Sequence, residues 1–362
     1  MAQQPDGVRR EADLHGVTPT LPRPAAPPAP DEFVPALHFV LIAVFLYLLQ
    51  PVWASLALSV LRDTGFYAWY YGPEFVAVAF GEKGPAQQAA QTRLQLWAIA
   101  AAFLFWLGSA ALLLGRLPAA YRRDMGVSLG RLTRRDDSGV AKWFAVAPAA
   151  VAANALLGVA AWVVIAPVAF GVNYLLGWLH TRYVEVRVEE HPFTAAAQAG
   201  RLRPAEWALL AFSVFVSAPL WEELFFRGAL LALCRKVRFG GHAAMLLALV
   251  AALVLRRQQL LDAAHDGGTP LWLAAAPALF VLATAPLYAL VCWSSRTGVG
   301  PVVFGTALFF AAVHSNVWPT PVALFLLGLG LGWLAVWTRS LIAPVVVHSL
   351  FNGVSFLLLF YG

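Results

Sequence analysis

Three groups of polar residues stand in otherwise apolar stretches. Glu222, Glu223 and Arg227 lie in WEELFFRG, His314 ends ALFFAAVH, and His348 and Asn352 lie in PVVVHSLFN. Carboxyl and imidazole groups inside apolar helices carry acid–base chemistry, relay protons, or bond one helix to another. Glu223 and Arg227 are four residues apart with the acid toward the amino end, the favourable order for a helical ion pair. Glu222, turned about 100° from its neighbour on a helix, is left without a local partner. An unpaired carboxyl in a low-dielectric surrounding takes a polar partner from another helix. Pro219 lacks an N–H and clashes with the carbonyl four residues back, so a kink or restart is expected near Phe215. Pro344 suits a first helical turn, and His348 and Asn352 then follow one turn apart on one face, separated by about 6 Å of rise. One buried histidine or one ion pair is ordinarily structural glue. A set of such groups on three carboxyl-terminal segments points to a joint site.

The elements that must position them follow from composition. The chain has 362 residues, 60% hydrophobic and 12% charged, with a mean hydropathy of +0.70. A soluble domain carries about 25% charge. Long apolar runs with charges in the gaps imply an all-α polytopic transmembrane helical bundle, because lipid leaves the backbone no external partner. The runs do not alternate as a membrane β-barrel requires. Each charge near a helix centre costs about 2.5–3.5 kcal/mol on insertion, so WEELFFRG needs a return. The net charge of +6 reflects basic loops; a continuous basic face with interleaved aromatics is missing, so no nucleic-acid partner is expected. Cys234 and Cys292 form no CxxC pair and read as packed thiols.

About eight spans are expected. Residues 1–33 form a Pro-rich tail, read as disordered and without a signal-peptide core. Residues 34–204 hold amino-terminal helices and loops, with spans at about 34–61, 94–115 and 143–167 and a short interfacial piece after the last. The aromatic loop GFYAWYYGPEF suits the membrane interface. The loop from Arg116 to Lys142 is rich in arginine, which places it and the amino terminus on the cytoplasmic side of an integral membrane protein. RYVEVRVEEH alternates like a short strand but reads as a solvated loop. Residues 205–362 hold the polar groups, with spans at about 205–233, 272–293, 299–317, 321–338 and 343–361. Residues 242–255 are short, a half-span or interfacial helix ended by Arg256 and Arg257. Gly328, Gly330 and Gly332 in LGLGLGW read as a helix-packing surface, not a nucleotide loop. His15, His180, His191, His242 and His265 fall in tails or loops, and His38 at a membrane edge. There is no HExxH and no GxSxG.

The residues Glu222-Glu223-xxx-Arg227, Phe310-xxx-His314 and His348-xxx-Asn352 resemble, in order, the EExxxR, FxxxH and HxxxN motifs of the CPBP intramembrane proteases. This family is also called the Abi or type II CAAX prenyl endopeptidase family. The resemblance covers about 205–358. The stretch 240–296 is longer than the family's usual connection, and Ser340-Leu341-Ile342-Ala343-Pro344 replaces a turn that often carries tryptophan. The resemblance implies hydrolysis of a peptide bond in a membrane-associated protein or peptide substrate, prenylated in some members. It implies Glu222 as general base on a water that His314 holds, His348 and Asn352 as oxyanion donors, Glu223 with Arg227 as a structural pair, and Phe310 as a supporting residue. No cofactor and no metal is favoured. The alternative is zinc on Glu222, His314 and His348. Two other classes compete: an inactive membrane scaffold or immunity-type protein, and a proton-coupled transporter. The transporter reading calls for related repeats in the two halves, and the motifs all lie in the second.

Overall fold

Continuous apolar runs fold here into helices, and the helices sort by how much of each is covered. The structure, a computed structural model, describes residues 36–82, 84–127, 148–184, 202–265, 269–295 and 297–361. The Pro-rich tail, the arginines of the 128–147 loop and most of RYVEVRVEEH lie outside them. Among the described residues there is no strand.

The amino-terminal half contributes α1 (Ala36–Asp63), two short helices α2 (Phe66–Tyr71) and α3 (Pro73–Ala79), then α4 (Pro85–Arg116), α5 (Ala119–Asp124) and α6 (Pro148–Tyr183). The second half begins with α7 (Pro204–Lys236). It continues with α8 (Gly240–Leu255), α9 (Arg257–His265), α10 (Leu271–Ala274), α11 (Ala276–Ala283) and α12 (Ala285–Ser294). The last three are α13 (Val299–Ala312), α14 (Thr320–Thr338) and α15 (Ile342–Tyr361). Among the described residues six helices are long and apolar enough to cross a membrane, or seven if α8 and α9, bent by 53°, count as one span. The expected α13 and α15 are present as shorter apolar helices. The protein is an all-α integral membrane bundle.

Two sequence expectations change. The segment after 167 is not a separate interfacial piece, because α6 runs unbroken through Pro167 to Tyr183. Membrane helices tolerate an interior proline where neighbours meet the freed carbonyl. His180, His242 and His265 are helical rather than in loops.

Burial ranks the helices. Half of the apolar window of α7 and 56% of that of α14 are covered, against 17% in α6 and 22% in α1. The central element is α13, where eleven residues from Gly300 to Ala312 are buried. It is sandwiched between α8 and α14, and α6 packs across α14 and α15. Close approach is achieved by small residues. Ala244, Ala248 and Ala252 form a fully buried stripe on α8 with a period of four. A Cβ on Gly305 of α13 would come within 2.5 Å of the Gly241 carbonyl oxygen. The glycines of LGLGLGW serve two faces: Gly328 and Gly332 meet Ala307 and Val303 of α13, and Gly330 meets Ile165 of α6.

The aromatic loop becomes a docking platform. Glu206 in the first turn of α7 is fully buried, accepts the Arg203 N–H, and takes both guanidinium nitrogens of Arg93 at 2.8 and 3.0 Å. The Tyr71 hydroxyl also donates to Glu206. Burial, reinforced by that carboxylate, pushes the Tyr71 hydroxyl above its ordinary range, so it stays a donor.

Candidate active site

The site is built on α7, α13 and α15. Helix α7 has two stretches of wider π pitch, Ser213–Ser217 and Leu224–Leu230; Trp221, Glu222 and Glu223 of WEELFFRG lie between them, and the rest of the motif lies in the second. The first of these stretches ends just before Pro219, where a kink or restart is expected. With five residues between partners, Ala218 bonds the Ser213 carbonyl, and Pro219 has no N–H to give Val214. The stranded Val214 carbonyl is met by the Asn352 Nδ2 of α15 at 3.2 Å. Gly353, beside it, lets the helices meet, since a Cβ there would fall 2.3 Å from the Phe215 ring.

Glu222 and Glu223 part company one residue on. The Glu223 side chain is fully buried, and its Oε1 accepts from Arg227 Nη1 and from His348 Nδ1, each at 2.8 Å. The Arg227 guanidinium also lies 4.2 Å from the centre of the Phe310 ring, a cation–π contact. The same ring meets His314 and His348 edge to face, at 5.1 and 5.7 Å. Phe310 therefore braces three of the polar residues at once. The expected pair of Glu223 with Arg227 is present and has His348 as a third member.

The two histidines are oriented alike. His314 Nδ1 donates to the Phe310 carbonyl at 2.8 Å, and His348 Nδ1 is held by Glu223. In a neutral ring each Nε2 is then a lone pair. Both point toward Glu222 Oε2, at 4.0 Å from His314 and 3.7 Å from His348. These separations are too long for direct hydrogen bonds. Glu222 Oε2 has no hydrogen-bond partner although it is buried.

Glu222, His314, His348 and Asn352 line one cavity of about 550 Å³. That is within the size range of small-molecule sites. Its walls are chiefly apolar, with Trp221, Leu324 and Phe351 prominent. Gln50 of α1 and Ile99 of α4 complete it from the amino-terminal half. Trp221 is fixed by an Nε1 hydrogen bond to the Leu46 carbonyl of α1 at 3.2 Å. Residues 204–354 match the family model of type II CAAX prenyl endopeptidase Rce1-like proteins. They form a CPBP-family protease domain. Comparison with curated proteins and with solved structures finds no match.

Within this CAAX-type endopeptidase domain, the structure brings together every residue that the motifs single out. Sequence reasoning missed Gln50 and Ile99, which carry no local signal. It also missed the bond from His348 to Glu223 and that from Asn352 to Val214. Pro219 was the available clue to the second, since a proline inside a helix always strands a carbonyl. A zinc site needs ligand atoms about 3.3 Å apart in tetrahedral geometry. Among the described residues no three His, Cys, Asp or Glu side chains are spaced to hold an ion.

Proposed function

We propose that this domain hydrolyses a peptide bond of a membrane-associated protein, with prenylated carboxyl-terminal segments as the substrate class. One observation carries the proposal: the Nε2 atoms of two oriented histidines converge on an unpartnered Glu222 oxygen in a cavity between helices. The 3.7 and 4.0 Å gaps leave room for a water between Glu222 and the two rings, since each hydrogen bond to it spans about 2.8 Å. Glu222 takes one proton from that water as general base, and His314 Nε2 accepts the other hydrogen and holds it in place. The oxygen attacks the scissile carbonyl carbon, and the carbonyl oxygen becomes an oxyanion. His348, protonated on Nε2 and steadied by Glu223 on Nδ1, donates to it. The second N–H of Asn352 adds a donor, because Val214 uses only one. The intermediate collapses as the proton on Glu222 passes to the leaving amine. The apolar walls accept the lipid-like part of the substrate.

Purified full-length protein and Glu222→Gln are compared on prenylated and unprenylated carboxyl-terminal peptides. The variant keeps the side-chain volume and loses the base, and its turnover falls at least about 100-fold at unchanged melting temperature. Turnover within a few-fold of the parent overturns the proposal. Zinc on Glu222, His314 and His348 is the competing reading, and exhaustive chelation separates the two. Full activity after chelation supports the bridging water, whereas loss restored by added zinc supports the metal.

A further inference from the structure

A second cavity, of about 320 Å³, has Arg227 in its lining and is lined by arginine from three elements. Arg123 comes from α5, Arg235 from the last turn of α7, and Arg339 from the turn after α14. All three are exposed, and none has an ion-pair partner among the described residues. The one acid in the lining, Asp124, is already paired with Lys236 at 2.8 Å. The turn is pinned in place by the Leu341 N–H, which bonds the Gly126 carbonyl at 3.1 Å. Arg339 itself sits in the left-handed region at φ 52°, a conformation that side chains other than glycine and asparagine rarely adopt.

A second observation points to a ligand. Arg227 forms the inner wall, its side chain is only 3% exposed, and its Nη2 has no hydrogen-bond partner. A buried guanidinium nitrogen without an acceptor calls for one. The cavity therefore presents three unpaired guanidiniums at its rim and an unsatisfied donor at its floor.

We propose that this cavity binds a phosphate group. Several guanidiniums lining one cavity suit a tetrahedral oxyanion with more than one acceptor oxygen, and arginine is the residue best shaped for it. Arg235 and Arg339 stand at the ends of membrane-crossing helices, where phospholipid headgroups lie, and basic pockets between such helices take anionic headgroups. This site is separate from the proposed hydrolysis and does not depend on it.

The test uses the full-length protein in a neutral detergent at near-physiological salt. Its melting temperature is followed while short-chain phosphatidic acid, short-chain phosphatidylcholine or inorganic phosphate is added. Phosphatidic acid gives a saturable rise and phosphatidylcholine gives none. In Arg235→Gln/Arg339→Gln the half-saturating concentration increases at least about tenfold. The single variants Arg123→Gln and Arg235→Gln keep the test open if the double variant folds poorly. A saturable rise with inorganic phosphate that equals the lipid's, and weakens in the same variants, assigns the site to a free anion. No saturable response to either phosphate source overturns the proposal, as does a response that the variants leave unchanged.

Discussion

Glu222 and Glu223 are neighbours with opposite surroundings, and the helix makes them so. A turn of about 100° sends one carboxylate into the cavity and the other against Arg227 and His348. The Glu223 carboxylate is the only acceptor the Arg227 guanidinium has among the described residues, and it also sets the ring of His348. Removing one member of a buried ion pair leaves the other uncompensated, at a cost of about 3–5 kcal/mol. Glu223→Gln is therefore expected to lower stability by that order in denaturant melts of the purified protein. Adding Arg227→Met removes the stranded charge and should recover much of the loss. Catalysis should not return with it, because His348 Nδ1 still lacks its carboxylate. A stable and active Glu223→Gln variant would show that the pair does neither task. The pair itself was legible from its spacing of four. The third member was not, since nothing in PVVVHSLFN says which helix lies opposite.

Helices approach here through residues with little or no side chain. Gly305 of α13 stands close against backbone, with the Gly241 carbonyl oxygen 2.5 Å from where a Cβ would stand and the Ala244 Cβ 3.0 Å away. Backbone cannot swing aside as a side chain does, so Gly305→Ala must push α8 and α13 apart. Overpacking of this kind costs about 1–3 kcal/mol. A lower melting temperature is expected, with partial loss of turnover because α13 carries Phe310 and His314. An unchanged melt would mean that the two helices slide without penalty. The elements were readable where apolar length or glycine spacing decides, as in α1, α4 and the two-faced glycine surface of α14. They were not where tertiary packing decides. Residues 242–255 read as a fragment too short to span, yet α8 is the main partner of the central helix. The composition of Pro219 and its neighbours announced a fault in α7. It did not announce that the helix would absorb the fault by a wider pitch, with an asparagine from α15 closing it.

The family match begins at residue 204, but the machinery does not. Gln50 and Ile99 line the cavity around Glu222, and Leu46 anchors Trp221 beside Glu222. Arg93 neutralises the fully buried Glu206 at the start of α7. Helix α6 lays Ile165 against Gly330 and brings Gly158 against the first turn of α15, where a Cβ would meet the Ala343 carbonyl at 2.8 Å. Without these helices Glu206 would keep its charge and lose its partner, and the groove faces of α14 and α15 would open to lipid or detergent. Residues 204–362 produced alone are therefore expected to fail as a folded unit, giving aggregates on size-exclusion chromatography and no peptide hydrolysis. Residues 34–203 supplied as a second chain in the same membrane should restore both, because the contacts between the halves are side-chain and helix-packing contacts that need no covalent link. A monodisperse, active carboxyl-terminal fragment would show instead that the amino-terminal helices are an accessory layer. The buried Arg93–Glu206 pair gives the sharpest reason to expect otherwise: an unpaired carboxylate at the head of α7 would sit on the helix that carries both Glu222 and Glu223.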